Sequence, residues 1–154
     1  LPIYGDCSIP TVVTYIYKAK GAKDFQALPD RTRLPADVTY VTTTLGQTVP
    51  YVVRLEVGTI NRGIYQIAVL HDPTSEKPVA ALSPPKAWNK RLVYVFGGGC
   101  QGMYRQGATT GPILDDQFLA QGYLAVSNSL NVFANNCDDL LAAEAMMMTR
   151  ERAI

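Results

Sequence analysis

Histidine and cysteine are scarce in this chain, and neither sign of charge prevails. His71 is the one histidine among 154 residues, and the three cysteines are Cys7, Cys100 and Cys137. No C-x-x-C pair occurs and His71 stands far from every cysteine in sequence, so no metal site and no cofactor are expected. Three cysteines are too few for a disulfide-built miniprotein, and their odd number leaves at least one thiol free or paired outside the chain. Charged residues are 18% of the total, against a usual share of about 25%. The 14 basic and 13 acidic residues are scattered, and without a basic face nucleic acid is set aside as a partner. Long apolar runs are missing as well: the stretches present are strand-length, short of the roughly 20 residues of a spanning helix, so no membrane span is expected. With 47% apolar residues, disorder is excluded. The start Leu1-Pro-Ile-Tyr4 has no charged region and no long apolar run, hence no signal peptide. A processed, exported protein would begin in the same way, and a charge-poor composition rich in Thr, Tyr, Asn and Gln leans towards a secreted or periplasmic location.

What is present organises the chain into two parts. Residues 1–50 read as an irregular, β-rich segment with Pro2, Pro10, Pro29, Pro35 and Pro50 among short β-branched runs. Thr11–Tyr17 and Val38–Thr44 are its predicted strands, and the polar stretch Lys18–Pro35 is a predicted surface loop. Residues 51–154 read as an α/β unit. Tyr51–Val57 and Gly63–Leu70 are predicted strands of an antiparallel hairpin, the first alternating at Val53, Leu55 and Val57 as in a sheet with one wet face. Leu92–Phe96 is apolar on both faces, the pattern of a central, fully covered strand. A short helix over Asp115–Gln121 is closed by Gly122, a strand follows over Tyr123–Ser127, and a final helix runs from Asp138 to Arg152. On that helix Leu141, Ala145 and Met148 form the expected buried stripe, flanked by Leu140 and Met147. Strand, helix, strand, helix predicts parallel pairing, and a helix after the last strand predicts a crossover to one more.

Gly97-Gly-Gly-Cys-Gln-Gly102 follows the most apolar strand directly. Its glycines satisfy G-x-G-x-x-G, but the dinucleotide reading needs a helix to open there. Met103–Pro112 contains two more glycines and a proline, and the next strand ends in Ser127-Asn-Ser129 rather than in an acid. A second reading is an oxyanion loop, in which backbone N–H groups at a strand end stabilise developing negative charge. Phe96-Gly-Gly-Gly99 resembles the HGGG-type motif of α/β-hydrolase lipases and esterases, with Phe in place of His. The plain alternative is a tight loop in which glycine merely relieves crowding, and the triplet alone does not choose between them.

Three longer stretches narrow the choice. Gly58–Pro73, Trp88–Cys100 and Ser129–Cys137, joined by Ala143-Glu-Ala-Met-Met-Met148, resemble the N-terminal part of a bacterial family of secreted α/β-hydrolase-like proteins, the domain of unknown function DUF6351. The resemblance implies an incomplete α/β-hydrolase-type sheet, its N-terminal half, with a Gly-Cys-Ser-Gly-Gly nucleophile elbow, an Asp and a His lying further on. G-x-S-x-G occurs nowhere in this sequence. The chain is therefore expected to be the oxyanion side of a secreted serine hydrolase acting on a small ester or amide. Other segments of the same precursor would bring the Ser, His and Asp, this chain being a proteolytic fragment of it, and the chain alone would be inactive. The rival expectation is a catalytically inactive hydrolase-like scaffold for cell-surface adhesion or assembly.

Residue by residue, the backbone N–H groups of Gly98, Gly99 and Cys100 are the oxyanion-hole candidates, and Gln101 and Tyr104 are candidates for the substrate pocket. Cys100 and Cys137 are expected to pair in a disulfide, with Cys7 left for a partner elsewhere; buried thiols are the alternative. His71 reads as a turn residue, Asp138 and Asp139 as helix-start acids, and Trp88 as packing at the sheet entry.

Overall fold

The computed structural model describes residues 8–99, 104–107, 113–132 and 134–154. Its strands are β1 (Val12–Tyr17), β2 (Gln26–Ala27), β3 (Tyr40–Thr42), β4 (Thr48–Pro50), β5 (Val52–Ile60), β6 (Gly63–Leu70), β7 (Leu92–Tyr94) and β8 (Leu124–Asn128). The helices are α1 (Asp116–Leu119) and α2 (Asp139–Ala153), with a 3-10 turn over Ser129–Asn131. Six strands form one sheet in the order β2-β1-β5-β6-β8-β7, and β3 and β4 form a separate hairpin. Every pairing in the large sheet is antiparallel except β7 with β8, which run parallel as the strand–helix–strand pattern predicts.

The β5–β6 hairpin is longer and tighter than its sequence implies. Pairing runs from Val53↔Leu70 to Ile60↔Gly63, leaving only Asn61 and Arg62 as the turn. Both have positive φ, 52° and 64°, the geometry of a type I′ turn whose twist matches that of the strands. β1 lies along β5 from Val12↔Val57 to Tyr17↔Val52, so the first fifty residues supply a strand to the same sheet as the rest.

Side chains alternate across this sheet. One face buries Val53, Leu70, Ala68 and Ala125 beneath Leu119 of α1, Ile113 and the β3–β4 hairpin. The other buries Tyr65, Ile67, Val69, Leu124 and Val126, with Trp88 and Ala153 packed on them. Fully burying one such aliphatic side chain contributes about 1.5–3 kcal/mol. Gly122 stops α1 as expected. Its φ is +87°, and an added β-carbon would lie 2.5 Å from the Ala87 carbonyl oxygen.

Three expectations need correction. The polar side of β5 is covered rather than wet: Glu56 is buried because Arg152 of α2 and Arg54 both bind its carboxylate. Leu92–Phe96 is not fully covered among the described residues. β7 ends the sheet among the described residues and is half-buried, although Val95 packs on one face and Leu92 and Tyr94 on the other. The buried positions of α2 are Ala145 and Thr149, while Leu140, Met147 and Met148 are exposed. Polar anchors set this rotation, because the Asn128 amide donates to Thr149 Oγ1 at 3.0 Å and Arg152 must reach Glu56. No helix among the described residues is long and apolar enough to cross a membrane.

Candidate functional site

The site forms where β7 and β8 end together, with the Asn61–Arg62 turn alongside because Tyr65 of β6 pairs with Asn128 of β8. Two short segments lie on this edge, Gly97–Gly99 and Tyr104–Gln106, and both are fastened to the stretch that follows β8. The Gly97 N–H donates to the Asn131 carbonyl at 3.0 Å. The Arg105 N–H donates to the Asn135 carbonyl at 2.8 Å, and Arg105 Nε donates to Asn135 Oδ1 at 3.2 Å. Gln106 Nε2 donates to the Arg62 carbonyl, tying the second segment to the hairpin turn.

Buried amides hold that stretch in shape. The Asn128 side chain accepts from the Leu130 N–H and opens the 3-10 turn. Asn135 Nδ2 donates to the Ser129 carbonyl and Asn136 Nδ2 to the Leu130 carbonyl. Asn131 links three elements: its carbonyl holds Gly97, its Nδ2 donates to the Ala142 carbonyl of α2, and its Oδ1 accepts from the Tyr94 hydroxyl at 2.6 Å. Burial pushes the Tyr94 phenol up to about 12, so it remains a donor and fixes which way the Asn131 amide faces. Four asparagines from Asn128 to Asn136 are visible in the sequence, but without the fold nothing marks them as the support of a loop.

Gly98 and Gly99 are exposed beyond this anchor. An added β-carbon at either would meet nothing within 4 Å, and Gly99 has φ +80°. Neither N–H donates to another backbone group of the described residues, whereas that of Gly97 does. Among the described residues a strand end therefore presents two backbone donors without a backbone acceptor on a fixed root, an arrangement able to hold an oxyanion. Of the remaining sequence candidates, Cys100 and Gln101 lie outside the described residues. Tyr104 is half-exposed, with the Arg62 guanidinium 5.7 Å from its ring centre. Cys137 is disulfide-bonded, and both other cysteines, Cys7 and Cys100, lie outside the described residues.

The residues read as structural behave so. His71 follows β6 at the opposite edge, 2% exposed, with Nε2 facing the Lys77 carbonyl at 3.0 Å and Nδ1 facing the Tyr15 hydroxyl at 3.2 Å. Asp138 caps α2 by accepting from the Leu141 N–H, and Asp139 stands in its first turn. Ser127 is 1% exposed, and the Ser129 hydroxyl, also buried, accepts from the Ile64 N–H. Neither serine is available to a substrate.

No curated protein and no solved structure matches this chain. One family model does, over residues 2–154, and its description is a tannase-like family of unknown function. Since that match spans all but the first residue, the chain belongs to the tannase-like family DUF6351.

Proposed function

We propose that this chain supplies the oxyanion side of a secreted or periplasmic serine hydrolase of the α/β class, acting on a small ester or amide. The observation that carries the reading is the Gly97–Gly99 strand end: Gly97 is bound to Asn131, and the two following N–H groups donate to no backbone group among the described residues. The sheet supports it. In the order β5-β6-β8-β7, the strand before the glycines lies parallel to the one before α2, as the oxyanion and following strands of an α/β-hydrolase do.

On this reading the Gly98 and Gly99 N–H groups, with that of Cys100, bind the carbonyl oxygen as it gains charge. Gln101 and Tyr104 line the acyl side, and a Cys100–Cys137 disulfide braces the loop against the start of α2. The nucleophile, base and acid come from residues outside this sequence, since no nucleophile elbow occurs in it and Ser127 and Ser129 are buried. Removing one oxyanion donor from such a site costs about 10²–10³ in kcat.

A fluorophosphonate probe tests the reading. The chain alone is expected to remain unlabelled and inactive on ester substrates, while the complete protein is labelled on a serine elsewhere. Labelling of Ser127 or Ser129 contradicts it, and a complete protein with no reactive serine turns the reading into that of an inactive scaffold.

A further inference from the structure

At the sheet edge opposite Gly97, a cavity of about 590 Å³ opens between the α2-covered face, the segment from Val79 to Trp88 and the last turn of α2. Ile67, Val69, Leu124, Trp88 and Met148 give it apolar walls, while one end is formed by Arg54, Glu56 and Arg152. The Glu56 carboxylate is fully engaged. Oε1 accepts from the Tyr65 hydroxyl at 2.7 Å and from Arg152 Nε and Nη2 at 3.0 and 2.8 Å, and Oε2 accepts from Arg54 Nη2 at 2.6 Å. Each guanidinium carries five N–H donors, so both arginines keep donors that Glu56 does not use. Arg54 also lies against the Tyr15 phenol, and its side chain is only 14% exposed. Two guanidinium groups thus meet one carboxylate; of these Arg152 is half-exposed, and the other acid on the wall, Glu151, is exposed as well. Guanidinium donors left over beside an apolar wall are complemented by an anion on an apolar body, and the volume lies within the usual range for small-molecule sites, about 300–1,000 Å³.

We propose that this cavity binds a small amphiphilic carboxylate, with its head group on Arg54 and Arg152 and its apolar part along Trp88, Ile67, Val69 and Leu124. The inference stands apart from the hydrolase reading and survives its failure.

Trp88 is the only tryptophan in the chain, so its emission reports on the cavity directly. Titration with decanoate below its micellar range is expected to give a saturable change, with affinity at least about tenfold above that of decanol, a hydrogen-bonded charge contact being worth about 1.5–3 kcal/mol. Arg54→Met is expected to abolish that preference while leaving decanol binding in place, with far-UV circular dichroism checking the fold. Should Arg54→Met fail to fold, Arg152→Met, at the half-exposed end of α2, serves instead. No saturable change with decanoate, equal affinity for the two probes, or unchanged decanoate affinity in the folded variant overturns the proposal.

Discussion

Gly98 lies in one of the two segments at one sheet edge and Gly107 directly follows the other, yet they face opposite demands. At Gly98 an added β-carbon meets open space and φ is not positive. At Gly107 φ is +60°, and the same atom would fall 2.0 Å from Asn135 Nδ2. Asn135 could move away only by giving up its bonds to the Ser129 carbonyl and to Arg105. Gly98→Ala is therefore expected to shift the urea midpoint little, whereas Gly107→Ala is expected to cost about 2–4 kcal/mol, from left-handed backbone plus lost buried hydrogen bonds. Equal midpoints for the two variants would contradict this account of the edge. Thr149 makes a comparable case inside α2. Its hydroxyl donates to the Ala145 carbonyl and accepts from the Asn128 amide, and all of these groups are buried. Thr149→Val keeps the volume and strands the amide donor, at an expected cost of about 1–3 kcal/mol by chemical denaturation.

Elements of this chain were legible in proportion to how far their own residues determine them. β6 runs from Gly63 to Leu70 as expected, because glycine opens it and a β-branched and apolar run interrupted only by Gln66 fills it. Asp138 caps α2 through a contact with the nearby Leu141 N–H, a local signal. The orientation of α2 was not legible, since it depends on Asn128 and Glu56, partners distant in sequence. The site divides in the same way. Glycines at a strand end could be read directly, but the asparagines beneath them gain their meaning only when β7 and β8 come side by side. The hairpin turn shows a further limit: neither Asn61-Arg62 position is glycine, although type I′ geometry favours Asn-Gly. Arg62→Gly is expected to stabilise the protein by about 1 kcal/mol, raising Tm by about 2–4 °C, because an arginine leaves the left-handed region while its carbonyl, the one bound by Gln106, is retained. A fall in Tm on differential scanning calorimetry would show that the Arg62 contact with Tyr104 outweighs backbone strain.

For the molecule as a whole, Glu56 joins β5 to the end of α2, and that bond depends on pH. Burial acts to raise the Glu56 carboxyl, but hydrogen bonds from Tyr65, Arg54 and Arg152 outweigh it and hold the group below its ordinary range. A depressed folded value contributes stability that is complete above the unfolded carboxylate range and is lost as pH falls through the folded value. Stability is expected to decline as pH falls below the ordinary carboxylate range towards the depressed folded value, and the decline should be shallower in Glu56→Gln. At neutral pH that variant is expected to lose about 3 kcal/mol, because two guanidinium groups lose a common partner. An unchanged pH profile in urea titrations of Glu56→Gln would remove Glu56 from the explanation. Asn131 has a different kind of consequence. One residue bonds the amide of Gly97, the phenol of β7 and a carbonyl in the first half of α2. The loop and the helix should therefore open together in solvent exchange, with the Gly97 amide protected for as long as the amides of α2 and no longer.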